Sequence, residues 1–504
     1  MRKLVLLSVA LMVVLAGCGS ITGTPAPEAT DGPVETPVDG TPTEAPIETP
    51  DQLPEGDEDT PGYVNGIWYN QSLDIDASDG LSDEELEQLK FRTMARLEVL
   101  RGLQFKEDVP VEILTREEFQ EELDESGSFD VTESERIHQN VKWEAPFLVD
   151  QQTDAVDVFQ AFYGGAVLGY YDSQANEIVV ISPEGEDGVP DGLDEMTLAH
   201  ELGHALQDQH FNLSDPKFRG VTTEENNAIN GLVEGDVHYF EVLYEQRCMD
   251  GEWDCLERPD RSAGGGDFHV GVWAVQYAPY SEGPSLVKDI HEADGWDAVN
   301  EMYDNPPAST SQIIHHEKYP DETPAEVTIE DRSSEDWHVP EVQSGVQYAV
   351  FGEAALYVMF WYPSFVESQA AGAPVNVIID YDDFFNLAGP GGDLDPFHPY
   401  DYSHEITEGW NGDILLPYAN DAGETGYVWK FEWDSPEDAT QFVDAYAALL
   451  EHHGASEVEP GTYLIDEGGE FEGAFSVSQD GTSVVIVNAP SVDELGDVHE
   501  PADA

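Results

Sequence analysis

The amino-acid sequence predicts an α+β protein with a larger N-terminal folded part and a smaller C-terminal α+β unit. Three observations predict it. Segments of helical period are interspersed with short apolar runs of strand length. A Gly- and Pro-rich stretch, AAGAPVNVIIDYDDFFNLAGPGGDLDP, interrupts that pattern from about residue 371. The chain has 504 residues, 40% hydrophobic and 10% aromatic, enough for more than one core. No internal repeat of fixed period is present.

The elements follow in chain order. MRKLVLLSVALMVVLAGC has a basic start, an apolar run and small residues before Cys18, which predicts a signal peptide over 1–17. The run is too short for a good membrane span. Leu15-Ala16-Gly17-Cys18 resembles the lipobox of bacterial and archaeal lipoproteins. That resemblance implies a lipid on Cys18 and a place on the extracytoplasmic face of the cell membrane. Residues 18–62, dominated by Thr, Pro, Glu, Asp and Gly, read as an extended, self-repelling stalk. The first folded domain is expected over 63–370. It opens with a helix, LSDEELEQLKFRTMARLEVLRGL, capped by Ser82. A strand and a helix follow in VPVEILTREEFQEEL, then two strands around a turn at 173–176 in GYYDSQANEIVVIS. Helices are predicted from about Asp194 to Phe211, from about Thr223 to Gln246, and over GVQYAVFGEAALYVMFWY. The C-terminal module, 371–504, shows strands ILLPY, GYVWKFEW and SVVIVNA and a helix, SPEDATQFVDAYAALLEHHG.

Charge and cysteine usage set the surroundings. Against 19 Lys+Arg stand 105 Asp+Glu, a formal net charge of −86 spread along the chain. Nucleic-acid binding is excluded, because phosphate contacts need a basic face. Such a surface repels itself in dilute buffer, but at molar salt the Debye length falls to about 3 Å and the carboxylates become a hydrated coat. This is the composition of an extreme halophile, a haloarchaeon in particular; an acidic protein that binds cations or basic partners is the alternative. Of the three cysteines, Cys18 is assigned to lipid, and Cys248 and Cys255 bracket the loop CMDGEWDC, a disulfide in an oxidising compartment.

The most informative segment is His200-Glu201-Leu202-Gly203-His204 inside MTLAHELGHALQDQHF. Residues four apart share a helix face, so His200 and His204 can present two imidazoles to one zinc ion while Glu201 acts as the general base toward water. Leu198, Ala199, Leu202, Ala205 and Leu206 supply a face to bury. A third ligand is required. His210 has the spacing of HExxHxxGxxH, but Gln207 stands where that pattern has its helix-breaking glycine. In an unbroken helix His210 lies about 280° around from His200. The better candidate is Glu234 in the next helix, with Glu224, Glu225, Asp236 and His238 also open. Gly235 would let that helix come close to the metal.

An HExxH helix followed by a helix carrying a glutamate is the gluzincin arrangement. More broadly, the chain resembles a family of uncharacterised secreted bacterial and archaeal metallopeptidases, haloarchaeal surface proteins among them. The motifs carrying the resemblance are Gly169-Tyr170-Tyr171-Asp172, His200 to Phe211, Val233-Glu234-Gly235-Asp236, Pro306 to Tyr319 and Gly409-Trp410-Asn411-Gly412-Asp413. Val237 and His316 depart from the family pattern without touching the proposed ligands. The resemblance implies a zincin-like catalytic domain, with the HExxH helix on a mixed sheet, that hydrolyses polypeptide. NEIVVIS resembles the edge strand that holds an extended peptide in zincins. In PPASTSQIIHHEKY, His315 or Tyr319 is a candidate donor to the oxyanion formed on the scissile carbonyl. A surface binding lipoprotein on an inactive zincin fold, and a metal-dependent hydrolase of non-peptide bonds, are the alternatives. Oligomeric state and cleavage specificity are not encoded in any motif.

Overall fold

The computed structural model describes residues 12–15, 60–75, 81–182, 193–256 and 268–499, except 335, 344, 390 and 391. Cys18, the rest of the signal peptide and nearly all of the stalk lie outside the described residues. The molecule is α+β, with a small mixed sheet under a helical layer and a larger antiparallel sheet formed by the C-terminal region.

Capping chemistry places the first helices. Helix α1 (Asp83–Arg101) starts at a capping box in which Ser82 and Glu85 bond each other's backbone amides, and it stops at Gly102 in the left-handed conformation, φ 74°. A hairpin of β2 (Tyr63–Val64) and β3 (Ile67–Trp68) leans on it. After β4 (Val111–Thr115), α2 (Arg116–Ser126) and α3 (Glu133–Glu144) begin at two further capping boxes, Thr115 with Glu118 and Thr132 with Glu135. Helix α4 (Ala155–Ala166) runs directly into β5 (Val167–Asp172), which turns back as β6 (Glu177–Ser182).

These strands and β1 (Met12–Leu15) make a sheet in the order β1-β5-β6-β4. β6 pairs parallel with β4 and antiparallel with β5; β1 runs antiparallel along the far side of β5, Met12 opposite Tyr171 and Leu15 opposite Val167. NEIVVIS is therefore an interior strand, contrary to the edge position expected for it. The reason is in its composition: Ile178 to Ser182 are all buried, as an inner strand covered on both faces requires. The strands at the two edges are β1 and β4.

Helix α5 (Glu195–Phe211) lies on this sheet and against α1, and α6 (Thr223–Met249) packs on α5. Helix α7 (Val270–Asp294), which carries Pro279 and Pro284 in its interior, packs along α6. Short helices α8 (Trp296–Met302) and α9 (Thr310–Ile314) lead to the apolar α10 (Gly352–Ala371). Among the described residues no helix is long and apolar enough to cross a membrane.

The second sheet has the order β10-β11-β12-β13-β9-β8-β7, all antiparallel. Its strands are β7 (Trp337–His338), β8 (Trp410–Asn420), β9 (Thr425–Trp433), β10 (Ser456–Glu459), β11 (Thr462–Ile465), β12 (Gly473–Asp480) and β13 (Ser483–Ala489). Helix α11 (Pro436–His452) covers one face, and α12 (Leu495–Val498) touches β13. The Gly- and Pro-rich stretch after α10 is packed: its Ile379 and Phe384, with Tyr400 and Tyr402 just beyond it, are buried in the same core as Phe360 and Trp361 of α10 and Trp429 and Phe431 of β9. Asp413 of the GWNGD motif fastens the junction. Its carboxylate accepts the backbone amides of Phe351 and Gly352 at the start of α10 and the indole N–H groups of Trp410 and Trp429.

Candidate metal centre

Helix α5 is held at its first turn before it presents any chemistry. Asp194 caps it, and the buried Glu195 accepts from the Arg92 and Arg96 guanidinium groups, the Tyr244 hydroxyl and the Leu256 amide. The disulfide Cys248–Cys255 forms, with a Cα–Cα distance of 5.7 Å, and closes the loop that delivers Leu256. Leu198, Ala199, Leu202, Ala205 and Leu206 face the core, so His200 and His204 point together toward α6. Gly203 lets the helices meet: a Cβ there would lie 2.5 Å from the Phe240 ring.

Glu234 of α6 completes the group. The three side chains are essentially inaccessible to solvent. Glu234 Oε2 is 3.2 Å from His200 Nε2 and 3.3 Å from His204 Nε2, and the two Nε2 atoms are 3.1 Å apart. Ligands at about 2.0–2.2 Å from a tetrahedral ion are separated by about 3.3–3.6 Å, so the edges of this triangle come within about 0.2 Å of those a zinc ion would impose. The other ring nitrogens are fixed. His200 Nδ1–H donates to Glu241 Oε2 (2.9 Å), and His204 Nδ1–H donates to Gln207 Oε1 (3.0 Å). Gln207 is itself oriented, because its amide nitrogen donates to the Val233 carbonyl at 2.9 Å. Both imidazoles thus turn Nε2 toward Glu234, leaving those atoms as the ones that could hold a metal ion while outer partners fix the rings. Asp236 stands behind Gln207, held by Arg101 Nε and the Tyr303 hydroxyl.

The pocket is matched to a cation electrostatically. Burial would lower the His200 imidazole, but hydrogen bonds and charge from Glu234 and Glu241 outweigh it and raise it to about 10. Burial likewise opposes ionisation of Glu234, yet the charges and hydrogen bonds of His204 and His200 bring its carboxyl down to about 2.

Glu201, also buried, lies against β5. Gly169 makes the room: a Cβ there would sit 3.1 Å from Glu201 Oε1. From the other side comes Tyr280 of α7, whose hydroxyl is hydrogen-bonded to the Glu234 carboxylate and feels the charge of Glu201. Burial first, and then Glu234, push this phenol well above its ordinary value, so it remains a donor. Helices α6 and α7 touch through glycine. A Cβ on Gly235 would lie 2.5 Å from the Gly283 carbonyl carbon, and one on Gly283 would lie 2.2 Å from the Gly231 oxygen. Gly235 thus admits α7, not the metal.

The remaining candidates are engaged elsewhere. His210 Nε2 bonds the Gln104 carbonyl at 2.7 Å, since α5 continues unbroken past Gln207. Glu224 accepts the Thr310 amide, Glu225 the Val221 amide, and His238 bonds Glu241. His315 Nε2 pairs with the buried Glu353 at 2.8 Å, and the Tyr319 hydroxyl donates to the Asn305 carbonyl. The PPASTSQ segment serves the start of α10 instead, where Thr310 Oγ1 accepts the Ala354 amide. Gln207 could have been found from its i+3 spacing to His204. For Tyr280 no signal existed, because α7 was not recognised as a helix. Another group with metal-ligand side chains is Glu282, His398 and Asp401; there Asn386 Nδ2 donates to His398 Nδ1, so the neutral imidazole carries its proton on Nε2, which lies 2.8 Å from the Glu282 carboxylate.

Residues 340–499 match the model of a domain of unknown function, DUF8575. The match covers α10 and β8 to β13 of the antiparallel sheet, begins ahead of residue 371, and does not reach the His200/His204/Glu234 centre. No curated protein and no solved structure matches the chain.

Proposed function

We propose that this protein is a zinc-dependent peptidase with a zincin-like catalytic domain, held by a lipid on Cys18 at the outer face of a halophile's cell membrane. The observation that carries the reading is the convergence of two imidazole Nε2 atoms and one carboxylate oxygen, all buried, beside a second buried carboxylate that is not part of the triangle. Three protein ligands are the set of a catalytic zinc, which keeps one position open; a structural zinc closes it with a fourth. When bound, zinc supplies Lewis acidity, making a water nucleophilic at neutral pH and polarising the scissile carbonyl. Glu201 takes the proton of the attacking water and delivers it to the leaving nitrogen. Glu241 and Gln207 keep the imidazoles aligned.

The substrate seat this reading assigns is the outer flank of β5, the strand that backs onto Glu201. Its support is that β1 lies extended there by main-chain pairing and touches α5, as a peptide adding a strand would. Casein hydrolysis at molar NaCl, compared between wild type and Glu201→Gln, tests the function. The variant should keep its zinc and lose at least about 10²-fold in rate, the scale of a lost general base. Equal hydrolysis by both proteins would remove the reading.

A further inference from the structure

Peptide hydrolysis places negative charge on the scissile carbonyl oxygen, and a hydrogen-bond donor aimed at that oxygen is worth orders of magnitude in rate. The two residues expected to supply it do not: His315 is paired with Glu353, and Tyr319 with the Asn305 carbonyl. Tyr280 meets the requirement. Its hydroxyl stands at the third ligand, Glu234, and within electrostatic reach of the base, Glu201. Its ring is fixed, buried and stacked on Tyr277 with centroids 5.5 Å apart, so the donor is preorganised. The Gly231, Gly235 and Gly283 contacts, which bring the α6 and α7 backbones together, set the depth to which it reaches.

We propose that Tyr280 is a catalytic residue whose hydroxyl donates a hydrogen bond to the scissile carbonyl oxygen as charge collects there. The role rests on the peptidase reading. It differs from merely holding Glu234 in place, which would show as lost zinc. The test uses the full-length, zinc-loaded protein in molar NaCl, with zinc content, kcat and KM on a fluorogenic peptide, and affinity for a phosphonamidate peptide mimicking the tetrahedral state. Tyr280→Phe should keep its zinc and hold KM within about threefold while kcat falls about 10²-fold, with analogue affinity falling in step. Tyr319→Phe should match wild type on every count. Loss of zinc from Tyr280→Phe, or unchanged kcat and analogue affinity, would overturn the assignment. Should Tyr280→Phe not fold, Tyr280→His offers a different donor at the same place: a folded, zinc-loaded variant as fast as wild type at every pH overturns the role, and a reduced kcat with a shifted pH profile supports it. Failure of the peptidase reading looks different: wild type that holds zinc but cleaves no peptide and binds no analogue removes both together.

Discussion

His200 and His204 were legible because helix geometry alone puts i and i+4 on one face, and nothing outside α5 is needed to know it. Glu234 required a judgement between residues on two helices; His210 lies away from the triangle, bonded to the Gln104 carbonyl, because α5 continues unbroken past Gln207. What the linear sequence could not show is the outer layer, Glu241 on His200 and Gln207 on His204, since each depends on how α6 is turned against α5. Two expectations belong to this scale. Because His200 is held protonated in the metal-free pocket, zinc must displace a proton; its affinity should therefore rise about tenfold per pH unit from about pH 6 to 8, and fall as pH drops. A pH-independent affinity in calorimetric titrations would contradict this. Gln207→Ala should weaken zinc binding by about 10–100-fold without abolishing it, measured by competition with a chelator.

The helices and strands found from the sequence are those whose local signals agree: the Ser82 capping box of α1, the apolar periodicity of α5 and α6, and the Ser435 cap of α11. Helix α7 escaped because Pro279, Gly283 and Pro284 are read locally as breakers, while its long contact with α6 sustains it. The predicted helix over GVQYAVFGEAALYVMFWY starts later than its apolar pattern, at Gly352, because that glycine has φ +77° and the Glu224 carboxylate occupies the space of a Cβ. Gly235→Ala tests the helix contact. Its methyl group would press on the Gly283 backbone, so the variant should lose about 1–3 kcal/mol of stability in chemical denaturation at constant salt, and zinc with it if α6 shifts. A neutral or stabilised variant would mean that the helices do not meet there.

For the whole molecule, composition was the plainest signal, and it concerns surroundings more than fold. With a net charge of −86, transfer from molar NaCl to about 0.1 M, where the Debye length grows to about 10 Å, should unfold or inactivate the protein; circular dichroism and zinc content across the transition would check it. Full structure at low salt would defeat the halophile reading. The α+β class was visible in the mix of periods, but the division of the chain was harder to see. One core runs from α4 through α10 into β9 and α11, so the Gly- and Pro-rich stretch expected to mark the boundary between the two units is built into a shared core. Residues matching the domain of unknown function form that C-terminal part, while the candidate centre belongs to α5, α6 and α7. The central claim is that His200, His204 and Glu234 hold one catalytic zinc ion. Anomalous diffraction at the zinc edge, from crystals of the full chain grown at molar salt, tests it most directly. The account predicts a peak about 2.0–2.2 Å from His200 Nε2, His204 Nε2 and a Glu234 oxygen, with a fourth position left to solvent. A peak ligated by His210, or none in zinc-replete crystals, would contradict it.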